Sequence, residues 1–136
     1  MLSDFSFHHI GVATNDIFLT TEYYLNAGFI SSDVIEDSVQ NVKICFVSKK
    51  GMPLIELVSP IDDKSPVNNI LDKSGVSPYH FCYEVMDIIL SIKQLKKIGY
   101  IPLSKPVPAV VFDNRLICFL YNKDIGLIEL LENKVL

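Results

Sequence analysis

The stretches ICFVSKKGMPLIEL (residues 44–57) and ICFLYNKDIGLIEL (residues 117–130) nearly repeat each other. Each closes on a strand-like Leu-Ile-Glu-Leu, with a carboxylate at Glu56 and again at Glu129. An offset of 73 relates Ile44 to Ile117, Cys45 to Cys118, Phe46 to Phe119 and Glu56 to Glu129. Upstream the offset is 71, relating His9 to His80, Asp16 to Asp87, Ile17 to Ile88, Gly28 to Gly99 and Ile30 to Ile101. So many matches in constant register identify an internal repeat. The change of offset marks a two-residue insertion in the second copy, placed in SKPVPAVVFDN (residues 104–114).

Both copies read as β-α-β-β-β. The first opens with the strand FHHIGVAT (7–14), and Asp16 caps the helix IFLTTEYYLNA, which Gly28 stops. FISSDVIE (29–36), NVKICFVS (41–48) and PLIELVSP (53–60) follow as strands. The second copy opens with PYHFCYEV, Asp87 caps IILSIKQLKKI, Gly99 stops it, and YIPLS, RLICFLY and GLIELLE follow. The spacing predicts one α+β domain over residues 1–136, with modules 6–60 and 77–132 joined by the linker 61–76. A short helix is expected after Ser65-Pro66. Each module leaves one sheet face bare of helix. The expectation is a cupped mixed or antiparallel sheet with helices outside and a ligand in the cup.

Composition narrows the function classes. Of the 136 residues 49% are hydrophobic and 21% charged, which describes a packed globular chain. Net charge is −4 with no basic run, so nucleic acid is not an expected partner. No apolar run reaches the roughly 18 residues of a membrane span, and the N-terminus does not read as a secretory signal. Cys45, Cys82 and Cys118 are odd in number and widely spaced, which argues against a disulfide framework and points to a reducing cytoplasm.

Alternation along the strands makes Glu56 and Glu129 costly unless something pairs with them, because both faces of their strands are apolar. Each module thus offers one His on its first strand and one Glu on its last: His9 with Glu56, and His80 with Glu129. Two neutral imidazoles and two carboxylates suit one divalent cation. The absence of thiolate favours Zn, Ni, Co, Mn or Fe(II), with positions open to water or substrate. His8 points the other way and has no counterpart, which reads as structural. Cys45 and Cys118 read as core fillers, and Tyr23 and Tyr24 as packing and surface. Asp113, Asn114 and Arg115 form a polar cluster at a strand start. It is either a solvated turn or, at Asn114 and Arg115, a substrate contact.

The segments HHIGVAT, IELVSPIDDKSPVNNIL, YHFCYEVMDI and GLIELLE resemble the vicinal oxygen chelate superfamily, which includes glyoxalase I, over roughly residues 6 to 132. Within it the pattern is most similar to the methylmalonyl-CoA epimerases. The Ser-Pro after the first Glu strand is the more discriminating feature. The resemblance implies paired βαβββ modules and a divalent metal on residues matching His9, Glu56, His80 and Glu129. It also implies a small-molecule substrate (an acyl thioester or 2-oxo compound), a homodimer, and proton transfer beside a carbonyl with Glu129 as the acid–base group. The epimerases place a second carboxylate base on the strand matching NVKICFVS, where this chain has no acid. The expected activity is a metal-dependent isomerase or lyase of epimerase type. A lactoylglutathione lyase, an Fe(II) oxygenase and a non-catalytic binding module of the same fold are the alternatives.

Overall fold

The computed structural model describes residues 4–133. They form ten strands and three α-helices, a mixed α+β fold. Backbone proximity divides them into two units, residues 9–79, and residues 80–133 together with 4–8. None of the described helices is long and apolar enough to cross a membrane.

The first copy runs β1 (Ser6–Ala13), α1 (Ile17–Asn26), β2 (Ile30–Ser31), β3 (Ile35–Asp37), β4 (Val42–Ser48) and β5 (Ile55–Pro60), followed by the linker helix α2 (Val67–Ser74). β5 lies parallel to β1 and antiparallel to β4. β2 and β3 share the far edge of β4. Helix α1 starts where expected, because Asp16 is extended and its Oδ1 accepts from the N–H groups of Phe18 and Leu19, both at 3.1 Å. It ends at Asn26, and two residues on the chain turns away at Gly28, whose φ of 90° only glycine adopts freely. The Phe29 N–H then bonds back to the Tyr24 carbonyl at 3.0 Å, and Lys49 Nζ donates to the Ala27 carbonyl at 2.8 Å.

FISSDVIE is not one strand but two. Ser32 Oγ accepts from the Phe46 N–H at 2.9 Å, taking a ladder bond that a backbone carbonyl would otherwise make. The chain leaves the sheet there, and Val34 packs on the helix side before β3 begins.

The second copy has the same order: β6 (Ser77–Val85), α3 (Ile88–Lys96), β7 (Ile101–Pro102), β8 (Val107–Ala109), a 3-10 turn (Val110–Phe112), β9 (Arg115–Asn122) and β10 (Gly126–Glu132). β10 is parallel to β6 and antiparallel to β9, whose other edge takes both β7 and β8. Pairing resolves the insertion into two single residues. Ile101 faces Tyr121 as Ile30 faces Ser48, still at offset 71. Val107 faces Ile117 as Ile35 faces Ile44, at offset 72. One residue therefore enters between β7 and β8. The other enters the turn before β9, where Asp113 and Asn114 take left-handed φ values of 55° and 65°.

Each unit has its own core between helix and sheet. In the first, Ile17, Cys45, Val47 and Leu57 are buried together, with Tyr24 and Phe29 beside them. In the second, Ile88, Cys118, Leu120 and Leu130 occupy the matched positions, with Leu95 and Tyr100 in place of the two aromatics. Cys45 and Cys118 are core thiols that donate to the carbonyls of Ser32 at 3.3 Å and Ser104 at 3.4 Å. Burial pushes the Cys118 pKa up, so it stays a thiol. Tyr24 packs edge-on against Phe29, whereas Tyr23 is exposed.

Candidate functional site

Register explains why each imidazole meets its carboxylate. Glu56 stands beside Gly11 on β1 and across from Phe46 on β4. His9 lies two residues before Gly11 and so projects from the same face, opposite the α1 core. Its Nε2 is 3.3 Å from Glu56 Oε1, and both residues are buried. The same construction recurs in the second unit. Glu129 stands beside Cys82 on β6 and across from Phe119 on β9, and His80 precedes Cys82 by two. His80 Nε2 is 3.2 Å from Glu129 Oε1, again buried. A phenyl ring meets each imidazole nearly at right angles: Phe46 at 5.6 Å and 79° from His9, Phe119 at 5.1 Å and 87° from His80.

Burying two carboxylates is costly unless cationic charge or several donors compensate. The donor chemistry fits a divalent ion. Imidazole nitrogen and carboxylate oxygen bind such ions at about 2.0–2.2 Å. Two ligand atoms on one ion then lie roughly 3.0 Å apart at a right angle and about 3.4 Å apart at a tetrahedral angle. The 3.3 and 3.2 Å separations within the two pairs lie between these limits. Each pair, His9 with Glu56 and His80 with Glu129, thus offers two ligand atoms at a spacing such an ion accepts.

Other residues singled out in the sequence sit as follows. His8 packs its ring against Phe112 at 5.3 Å and 89°. The Asn114 N–H bonds to the Ala109 carbonyl at 2.9 Å, closing the left-handed turn. Arg115 is held three ways: Nη1 to Glu84 Oε2 at 3.1 Å, Nε to the Phe112 carbonyl at 3.4 Å, and its guanidinium 5.6 Å from the Phe112 ring. Glu84 lies two residues beyond Cys82, on the His80 face of β6, and only part of the pair is exposed. Sequence reading missed Glu84. The available signal was its alternation with His80 and Cys82, but the repeat hid it, because its counterpart in the first copy is Ala13.

On β4 the face carrying Glu56 presents Val42, Ile44 and Phe46. Lys43 projects from the opposite face, between Glu36 and Ser59 in neighbouring strands. No carboxylate stands on this strand.

Comparison with known proteins places these features. The chain is 28% identical over 127 residues to the ethylmalonyl-CoA/methylmalonyl-CoA epimerase of Cereibacter sphaeroides, covering 90% of this chain and 94% of that protein. It is 30% identical over 132 residues to the mitochondrial methylmalonyl-CoA epimerase of Dictyostelium discoideum, covering 93% and 77%. The crystal structure of methylmalonyl-CoA epimerase from Mycobacterium tuberculosis superposes with a TM-score of 0.82 at 25% identity, covering 95% of this chain and 88% of that one. Residues 8–119 match the model of the glyoxalase/bleomycin resistance protein/dioxygenase superfamily, and the chain belongs to that superfamily.

Proposed function

We propose that the chain is a divalent-metal-dependent isomerase that moves a proton on the carbon beside a carbonyl, with an acyl thioester of the methylmalonyl-CoA type as first-choice substrate. One observation carries this reading: a buried His–Glu pair repeated at matched positions, in a chain whose relatives are named as epimerases of such thioesters. In it His9, Glu56, His80 and Glu129 hold one cation.

When bound, the cation supplies a Lewis acid for the substrate carbonyl. The chain's own groups do the rest. Glu129 is the acid–base group: its carboxylate takes the α-proton, the C–H electron pair moves towards the carbonyl, and return of a proton to the carbon completes the turn. Glu129 suits the role better than Glu56 because the Glu84–Arg115 pair shares its sheet face, whereas the β4 and β5 residues around Glu56 are apolar. Asn114 and Arg115 bind a polar or anionic part of the substrate. His9 and His80 offer imidazole nitrogens from the strands, with the Phe46 and Phe119 rings against them.

The aliphatic face of β4 favours a second reading. With Val42 and Ile44 there, a single carboxylate serves the reaction, as in a glyoxalase-type isomerisation of a glutathione hemithioacetal. Two measurements test both readings: elemental analysis after loading with Ni, Co, Mn and Zn in turn, and exchange of the substrate α-proton with solvent deuterium. Near-stoichiometric metal is expected in the wild type and loss of it in His80→Ala. Exchange is expected with methylmalonyl-CoA in the wild type and is abolished in Glu129→Gln. Turnover of a hemithioacetal without exchange of the thioester moves the second reading to first place. A protein that takes no metal under any loading condition defeats both.

A further inference from the structure

We propose that Phe46 and Phe119 are positioning residues for His9 and His80, holding each imidazole in the plane that aims Nε2 at its glutamate. Through the imidazoles they set how tightly the four-residue centre grips a cation. The second half of this statement rests on the metal-dependent reading above, and the first half does not.

Four observations converge. The two phenylalanines occupy matched positions, at the offset of 73 that also relates the glutamates. Each stands directly across the antiparallel ladder from the glutamate of its pair, Phe46 from Glu56 and Phe119 from Glu129. Each ring meets its imidazole nearly perpendicularly, at 79° and 87°. Neither ring belongs to a helix-side core: their neighbours Cys45 and Val47, and Cys118 and Leu120, point the other way and fill those cores.

The physical need is specific. The outer torsion of a histidine joins an sp³ to an sp² carbon and is broad and roughly two-fold. A half-turn about it exchanges Nε2 with a C–H and turns Nε2 away from the carboxylate. A strand backbone fixes the direction of Cβ but not this torsion. A perpendicular phenyl ring does restrain it, because its quadrupole favours one edge-to-face arrangement and its bulk opposes rotation. Groups that orient metal-binding histidines are worth about 10- to 100-fold in metal affinity.

The test compares Phe46→Leu and Phe119→Leu with Phe46→Tyr and Phe119→Tyr, with Phe→Met as a second apolar change should a Leu variant fail to fold. Two quantities are read. The first is the imidazole ¹⁵N resonances in metal-free protein, which follow the tautomer and bonding of each ring and are little moved by the loss of a neighbouring ring current. Phe119→Leu is expected to move or broaden those of His80 and leave His9 in place, and Phe46→Leu to do the reverse. The second is Co²⁺ affinity by chelator competition, expected to fall about tenfold in each Leu variant and to recover in each Tyr variant. Leu and Met variants with unmoved histidine resonances and wild-type Co²⁺ affinity overturn the proposal. A wild type that takes no Co²⁺ while the resonances move as stated defeats the four-ligand reading and leaves the positioning role standing. Unmoved resonances together with weakened Co²⁺ binding overturn the positioning role.

Discussion

In the first copy, the sheet face that carries His9 and Glu56 is otherwise small or apolar: Gly11 and Ala13 on β1, Val42, Ile44 and Phe46 on β4, Val58 on β5. In the second copy the equivalent face keeps His80, Glu129, Phe119 and Ile117, but Gly11 is replaced by Cys82, Ala13 by Glu84 and Val42 by Arg115. The positions that stayed alike are the His, the Glu and the Phe beside them. Two of those that diverged became an ion pair, Arg115 with Glu84 at 3.1 Å. The positions that stayed alike are those the proposed function assigns to the cation, and two that diverged, Glu84 and Arg115, include the one it assigns to substrate.

Substitutions at matched positions test the likeness first. Leu57 and Leu130 are both fully buried in their helix-side cores, at the same place in the repeat. Truncating either to alanine removes packed methyl groups and leaves a cavity, with an expected loss of about 2–5 kcal/mol in urea unfolding. Equal losses support equivalent cores. A loss well under 1 kcal/mol at one site shows that its core relaxes and that the two copies are not mechanically alike.

A smaller effect is expected at the divergent pair. Arg115→Val restores the first-copy residue and strands the Glu84 carboxylate, at a cost of about 1 kcal/mol. Glu84→Ala added to it gives the first-copy residue at both positions of the pair and is expected to recover most of that loss. Substrate affinity separates structure from function here: a double variant with restored stability and wild-type substrate binding removes Arg115 from the proposed contact.

The smallest difference lies in the helix caps. Asp16 accepts two backbone N–H groups of α1, whereas Asp87 accepts only that of Leu90, and Ile88 N–H is served at 3.2 Å by Glu132 from β10. Asp16→Ala is expected to cost about 1 kcal/mol and Asp87→Ala about half as much, read from thermal unfolding. The reverse order would mean that Glu132 does not share the capping of α3.

Much of this molecule was legible in one dimension. Strand alternation has a period of two, so a His and a Glu in apolar runs declare their face from local sequence alone. The repeat then doubled each weak signal: Asp16 with Asp87 marked the caps, Gly28 with Gly99 the helix ends, and His9, Glu56, His80 and Glu129 the pairs. What depended on pairing between distant strands was not legible. The split of FISSDVIE turns on one hydroxyl, Ser32 Oγ, reaching Phe46 N–H across the ladder. The division of the insertion into two single residues needed the partners of β7 and β8 on β9. Glu84 and Arg115 are 31 residues apart and match nothing in the first copy, so neither alternation nor repetition could join them. Sequence by itself determines which face a side chain takes and which residues recur. Only tertiary structure decides which of those faces meet, because ladder register and side-chain reach are set by contacts that no local pattern encodes.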